Sequence, residues 1–238
     1  HIPDSSVRSV VTARTGPDSP VAEVVEFTVM GHEVAGEVVE VGRDNKKLKV
    51  GDRVVVPFTI VCGECDQCRR GNFSVCERTN RNKDIADKVF GHTTAGLYGY
   101  THLTGGYAGG QAEYLRVPHA DYGPVKVPSV GEDERFLFLS DVLPTAWQGV
   151  KYANVPEGGT LAVLGLGPIG QMAARIGAHL GYRVIGVDPV VERRAMAARH
   201  GIEVLEGGEG VVEELRERTD GRGPDSVVDA VGMEAHGS

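Results

Sequence analysis

The chain has 238 residues, a length that allows one large domain or two medium ones. Its content of 41% hydrophobic and 24% charged residues is typical of a globular protein that can bury a core. No apolar run approaches the about 18 residues of a spanning helix, so no membrane partner is expected. The net charge of −8 argues against a nucleic-acid-binding surface. The first residue is His1 and the first methionine is Met30, so we expect a chain trimmed at its front.

The first half of the chain reads as short β-strands separated by glycine. Alternating or continuous β-branched runs predict strands over 36–41, 51–57 and 111–117. These strands predict an antiparallel, barrel-like domain over residues 1–154.

All four cysteines fall between two of these strands, in a C-x2-C-x2-C-x7-C array formed by Cys62, Cys65, Cys68 and Cys76. Tetrahedral zinc needs four ligands converging at about 2.3 Å, and short turns bring thiolates together at little cost in chain entropy. Two disulfides or four unrelated buried thiols are the alternatives. Polar flanks and the lack of a secretion signal favour a zinc site in a reducing, cytoplasmic setting.

The pattern changes near residue 155. A helical stretch over 135–153, interrupted at Pro144, is predicted to join the two halves, with the boundary near 156–159. The second domain, 155–238, alternates apolar strands with amphipathic helices, which predicts a parallel sheet wound by helices. The predicted strands are 160–164, 183–187, 203–205 and 225–231, and the predicted helices are about 168–180, 190–200 and 210–219.

A G-x-G-x-x-G motif follows the first of these strands and opens a helix. Gly165 permits a tight turn, Gly167 lets backbone amides approach a pyrophosphate, and Gly170 lets helix pack on strand. The helix N-terminus then faces the anion. The predicted cofactor-binding turn consists of Gly165, Gly167, Pro168, Ile169 and Gly170.

Asp188 ends the next predicted strand. A carboxylate at that position accepts hydrogen bonds from a ribose hydroxyl and repels a 2′-phosphate, which favours NAD over NADP. Arg193 and Arg194 lie close enough in sequence to keep the choice of cofactor open. A glycine turn followed by an ordinary strand-end aspartate is the alternative interpretation.

A third motif, Gly31-His32-Glu33, precedes the cysteine array. Alone, such a triplet is typical of a turn with a solvated or core histidine. With the Val50–Val54 stretch, the four-cysteine lobe and the glycine-rich turn in the same order, the chain over residues 31–238 resembles the zinc-containing medium-chain dehydrogenases of the alcohol dehydrogenase superfamily. The segments 90–96, 104–110 and 139–148 narrow the resemblance to the glutathione-independent formaldehyde dehydrogenase subgroup.

The resemblance implies a GroES-like β-rich catalytic domain followed by a truncated Rossmann domain. It also implies that His32 and Asp141 bind a catalytic zinc, that Glu33 lies beside the metal and that Thr145 neighbours the nicotinamide. The cysteine quartet would then hold a structural zinc. A helix-capping or solvated aspartate is the alternative for Asp141. A three-ligand zinc acts as a Lewis acid on a bound alcohol or aldehyde hydrate, so that hydride can pass to NAD.

The chain also departs from that family. The cysteine expected about twenty residues before the Gly-His-Glu segment is absent, and residues 1–29 do not look like the family's opening strands. The family's nucleotide domain continues beyond the point that corresponds to Ser238, so the chain is a fragment or a repurposed relative.

Two functions therefore stand. One is a zinc- and NAD-dependent oxidoreductase acting on a small-molecule substrate, a small alcohol or hydrated aldehyde such as formaldehyde, with a homo-oligomer plausible for the full-length parent. The other is a non-catalytic relative that keeps the structural zinc and part of NAD binding. A zinc-free quinone reductase of the same superfamily is disfavoured, because those enzymes generally lack both the lobe and the Gly-His-Glu segment.

Overall fold

The computed structural model describes residues 6–10 and 29–232, which fall into two compact units that divide between Asp141 and Val142. Each unit contains its own hydrophobic core. The helical stretch predicted over 135–153 was expected to join the two halves, and its helix Val142–Ala153 begins the second compact unit.

The first unit is built around an antiparallel sheet. Its strands are β1 (Ser6–Val10), β2 (Val34–Val38), β3 (Arg53–Val56), β6 (Tyr114–Pro118) and β7 (Val125–Lys126). They lie in the order β6-β1-β2-β3-β7. A separate two-stranded ribbon pairs β4 (Thr59–Ile60) with β5 (Gly96–Leu97).

The three strands predicted in this unit are present, but they begin and end at other residues than predicted. The predicted strand at 36–41 begins earlier, because Val34 and Val38 are both fully buried and set the inward face of β2. Residues 6–10 form β1, which pairs with both β2 and β6. That the sequence of residues 1–29 does not look like the family's opening strands stays a prediction, and residues 1–5 and 11–28 lie outside the described part.

The described part of the first unit also contains three short helices and two 3-10 turns. They are α1 (Asp66–Arg69), α2 (Lys83–Phe90) and α3 (Glu134–Leu137), with turns at Phe73–Val75 and His102–Thr104. The sequence analysis did not predict α2. Ala86 is the buried residue of this helix, whereas Ile85 and Val89 are more than half exposed. The sequence of α2 therefore lacks the stripe of core-facing apolar residues by which an amphipathic helix is predicted.

The second unit is a parallel sheet with helices, as predicted. It contains α4 (Val142–Ala153), β8 (Thr160–Leu164), α5 (Pro168–His179), β9 (Arg183–Val187), α6 (Val191–Ala198), β10 (Glu203–Leu205), α7 (Val211–Glu217) and β11 (Ser226–Asp229). The strand order is β10-β9-β8-β11, with every pair parallel. The predicted break at Pro144 is misplaced, because Pro144 lies in the first turn of α4, where a missing N–H is tolerated.

Both faces of β8 are buried, as expected for the middle of a parallel sheet. Leu161 and Val163 pack in one cluster with α4 and α5, and Ala162 packs in a second cluster with Ile185 and Leu215. Through the described ranges, no helix combines the length and the apolar character needed to cross a membrane.

Candidate metal and nucleotide sites

The four cysteines converge as the spacing predicts. Their sulfur atoms all lie within 4.8 Å of one another, with 4.0 Å between Cys62 and Cys68 and 3.9 Å between Cys65 and Cys76. Tetrahedral zinc with Zn–S bonds of about 2.3 Å separates its sulfur ligands by about 3.8 Å. The spacing therefore fits a zinc ion bound by four thiolates.

Backbone amides already point at these sulfur atoms. The N–H groups of Glu64 and Cys65 donate to Cys62 Sγ at 3.4 and 3.3 Å, and the N–H of Cys68 donates to Cys65 Sγ at 3.4 Å. Such N–H donors stabilise thiolates and fix their direction. All four side chains are buried, so the lobe is a closed site of the structural kind.

The thiol pKa values indicate how zinc would load. Burial raises the pKa of Cys62, and burial raises the pKa of Cys68 to about 12. Burial also opposes ionisation of Cys76, but hydrogen bonds from the Arg78 amide and the Thr79 hydroxyl lower its pKa to about 7. Because zinc binds thiolates, loading must release protons, and Cys76 gives up its proton more readily than Cys62 or Cys68.

Tyr122 packs on the first turn of the lobe, a contact that no sequence signal predicted. Gly63 has φ +73°, and a Cβ built on it would lie 2.0 Å from the Tyr122 ring. The absence of a side chain at Gly63 is therefore what lets the ring of a loop after β6 cover the Cys62–Cys65 turn.

Replacing Gly63 with alanine is expected to lower the free energy of unfolding by about 1–3 kcal/mol, because the Tyr122 ring must move away. Gly71→Ala is the matched control, since Gly71 has φ +82° and open space around its Cα. Thermal unfolding of both variants separates the ring clash from backbone strain. Equal losses would contradict the packing explanation.

His32 and Asp141 meet although they lie 109 residues apart. His32 Nε2 is 3.0 Å from Asp141 Oδ2, with 37% and 24% of the two side chains exposed. His32 follows Gly31 and lies two residues before β2, and Asp141 immediately precedes α4. Partial burial, together with the Asp141 carboxylate, raises the pKa of Glu33 against the lowering effect of His32.

Aromatic rings flank the histidine. The His32 ring makes edge contacts with Phe58 at 5.8 Å and Tyr100 at 6.5 Å between centroids. The imidazole is thereby held on two sides by rings and on a third by a carboxylate. Thr145 lies in the first turn of α4, in the second compact unit.

The glycine-rich turn has the backbone that its motif predicts. Gly165 has φ +82°, and a Cβ on Gly170 would lie 1.8 Å from the Gly165 oxygen. Gly167 is the N-cap residue of α5, Pro168 opens the helix, and a Cβ on Gly167 would meet nothing within 4 Å. The turn is tightly packed between Gly165 and Gly170. It leaves open space at Gly167, where a pyrophosphate would approach.

Asp188 is 1% exposed and forms hydrogen bonds to the glycine-rich turn and to the loop after β9. Its Oδ2 accepts the Leu166 N–H and its Oδ1 accepts the Val190 N–H, each at 2.7 Å. Arg193 lies 3.6 Å from the same carboxylate, and Arg194 donates to the Asp188 main-chain oxygen at 2.6 Å. The sequence analysis identified Asp188 as a ribose ligand but missed this structural role.

Asp188→Ala is expected to destabilise the protein without any cofactor, because two backbone N–H groups lose their acceptor. Each buried unpaired donor costs about 1–3 kcal/mol. Asp229→Ala is the control, since Asp229 is exposed and the N–H that it accepts, from Val231 at 3.0 Å, is exposed as well. If cofactor-free unfolding of both variants matched wild type, Asp188 would have no structural role.

Comparison with known proteins agrees with this geometry. Residues 4–129 match the alcohol dehydrogenase GroES-like domain, and residues 168–236 match the zinc-binding dehydrogenase family. The chain belongs to the zinc-type alcohol dehydrogenase family. Its first unit is the family's GroES-like domain, and its second is a partial Rossmann fold. The match from residue 4 also extends the resemblance beyond residues 31–238.

Relatives of the chain include the Bacillus subtilis zinc-type alcohol dehydrogenase-like protein AdhB, which is 42% identical over 88% of the chain and 54% of its own length. A glutathione-independent formaldehyde dehydrogenase from Pseudomonas aeruginosa is 37% identical over 89% of the chain and 52% of its own length. The structure of alcohol dehydrogenase TADH from Thermus sp. ATN1 superposes on the chain with a TM-score of 0.75 and 34% sequence identity. The match covers 96% of this chain and 63% of the TADH chain. The chain spans about half the length of the curated relatives it matches.

Proposed function

We propose that the protein is an NAD-linked oxidoreductase that moves hydride between a small alcohol or hydrated aldehyde and the nicotinamide ring. The observation that carries this proposal is the glycine-rich turn, which is open at Gly167 in front of α5, in a chain of the zinc-type alcohol dehydrogenase family. The side chains of His32 and Asp141 are partly exposed, so a small substrate can reach them.

The open turn at Gly167 supports binding of a dinucleotide. Its space in front of the first turn of α5 suits a pyrophosphate, which the amides at the helix N-terminus would bind. NAD, when bound, supplies the hydride acceptor. The Asp188 carboxylate favours NAD over NADP, because a 2′-phosphate would meet its negative charge.

The substrate class is supported by the relatives. Several are named glutathione-independent formaldehyde dehydrogenase, and one from Pseudomonas putida, 37% identical over 88% of the chain, is named formaldehyde dismutase. We propose formaldehyde hydrate and short primary alcohols as substrates. In the forward direction the substrate carbon loses hydride to NAD and the hydroxyl proton leaves to solvent.

The residues of this chain do not fit the catalytic zinc that the resemblance implies. That ion takes a cysteine, a histidine and an aspartate, whereas all four cysteines of the chain belong to the lobe. In the described part, His32 and Asp141 gain no third histidine, cysteine or carboxylate within ligand reach. The proposed reaction therefore uses no metal ion at His32 and Asp141.

The missing thiolate favours a second candidate, a non-catalytic relative that retains the lobe zinc and binds the adenosine half of NAD. The two candidates differ in turnover but agree on zinc in the lobe. Both would operate in a reducing cytoplasm, where the lobe thiols stay free to bind metal. We propose a homo-oligomer for the whole protein, with neither a nucleic acid nor a membrane as partner.

The test is NADH formation by zinc-loaded protein with formaldehyde, methanol and ethanol, followed at 340 nm. NAD binding is measured separately by calorimetry. Turnover supports the oxidoreductase. Binding of NAD without turnover supports the non-catalytic relative, and absence of both would overturn the two candidates together.

A further inference from the structure

We infer that this chain binds zinc at the cysteine lobe only, and that His32 and Asp141 form a hydrogen-bonded pair that does not hold zinc. The inference goes beyond the proposed activity, because it concerns how many metal ions the chain carries. It is tested without cofactor or substrate, so its outcome is independent of turnover.

The donor inventory is the first argument. Zinc in catalytic sites takes three protein ligands and one open position. The cysteine quartet uses every thiol of the 238 residues, so a second site would have to be built from imidazole and carboxylate groups alone. Through residues 29–232, the cysteine quartet is the one group of three or more ligand side chains close enough to share an ion.

Distances give the second argument. His32 Nε2 and Asp141 Oδ2 lie 3.0 Å apart, within the range of about 2.7–3.2 Å of a direct hydrogen bond. The imidazole and the carboxylate therefore satisfy each other without an ion. The sulfur atoms of the lobe, at 3.9 and 4.0 Å, match the spacing around a tetrahedral zinc instead.

The surroundings of His32 give the third argument. Its ring is in edge contact with Phe58 and Tyr100, and its Nε2 is engaged by Asp141. These contacts join the segment before β2, the segments after β3 and β5, and the residue before α4. The pair therefore acts as a tertiary link within the first unit, a role that needs no ion.

The experiment counts zinc per chain in the 238-residue protein. The protein is saturated with zinc, passed over a desalting column with a mild chelator, and analysed by plasma mass spectrometry. We expect one zinc per chain in wild type and in His32→Asn, and none in Cys65→Ser. Two zinc ions in wild type, or one fewer in His32→Asn than in wild type, would overturn the inference.

Cobalt substitution covers the case in which Cys65→Ser fails to fold. Wild type loaded with Co²⁺ should bind one ion and show thiolate-to-cobalt charge transfer. The same spectrum and stoichiometry are expected for Asp141→Asn. A second cobalt that binds without charge transfer and disappears in Asp141→Asn would place a metal on the pair and refute the inference. His200→Asn, a change at an exposed histidine, controls for nonspecific loss of imidazole.

Discussion

Cys65→Ser is expected to remove zinc from the lobe and to unfold residues 60–80 locally. Cys65 contributes a sulfur 3.9 Å from Cys76 Sγ, and the same sulfur accepts the Cys68 N–H at the start of α1. Structural zinc contributes about 10–16 kcal/mol of binding free energy in isolated zinc-finger peptides, and this energy is also folding energy. A serine hydroxyl is a poor substitute for a thiolate, so most of that contribution is lost.

Zinc content and amide hydrogen exchange measure this result. Exchange should accelerate through the lobe while β8 and α5 of the second unit keep their protection. Asp66→Asn is the control in the same turn, because its ion pair with Arg70 is exposed on both sides and contributes little. A Cys65→Ser protein with unchanged zinc content would disprove the four-cysteine site.

The second large effect is expected for Gly170→Ala. The added Cβ would lie 1.8 Å from the Gly165 oxygen and 2.8 Å from the Gly165 carbonyl carbon, which are backbone atoms that cannot rotate away. Either α5 shifts from β8 or the turn at Gly165 opens. We expect a loss of at least about 3 kcal/mol in the free energy of unfolding, at the upper end of overpacking effects.

Gly167→Ala separates folding from cofactor binding at the same turn. Gly167 has φ −67° and open space around its Cα, so alanine fits and the midpoint of thermal unfolding should stay close to wild type. A methyl group there would still occupy the space where a pyrophosphate approaches. Weaker NAD binding with unchanged stability is expected, and unchanged NAD binding would contradict the proposed phosphate site.

The second unit was predicted closely because its signals are local. Buried parallel strands read as continuous apolar runs, and β8, β9 and β10 have the predicted bounds. The Gly165–Gly170 turn is likewise specified by sterics within six residues. The lobe follows the same rule, since its four ligands come from one short segment.

The first unit was less predictable because its contacts are distant in sequence. The packing of Tyr122 on Gly63 joins two segments that no sequence motif links. The pairing of β1 with β6 spans more than a hundred residues and leaves only a short β-branched run as a sequence signal. The contact between His32 and Asp141 was expected through the family resemblance, and spacing alone did not predict it.

The buried carboxylate of Asp188 also limits how cofactor preference could be redesigned. Protein engineers commonly exchange the acidic residue at this strand end to admit a phosphorylated dinucleotide. Here both carboxylate oxygens accept backbone N–H groups, one from the glycine-rich turn and one from the loop after β9. An exchange at Asp188 would loosen both loops while it altered selectivity. A redesign that leaves Asp188 in place and varies Arg193, whose side chain is 54% exposed, would keep that scaffold intact.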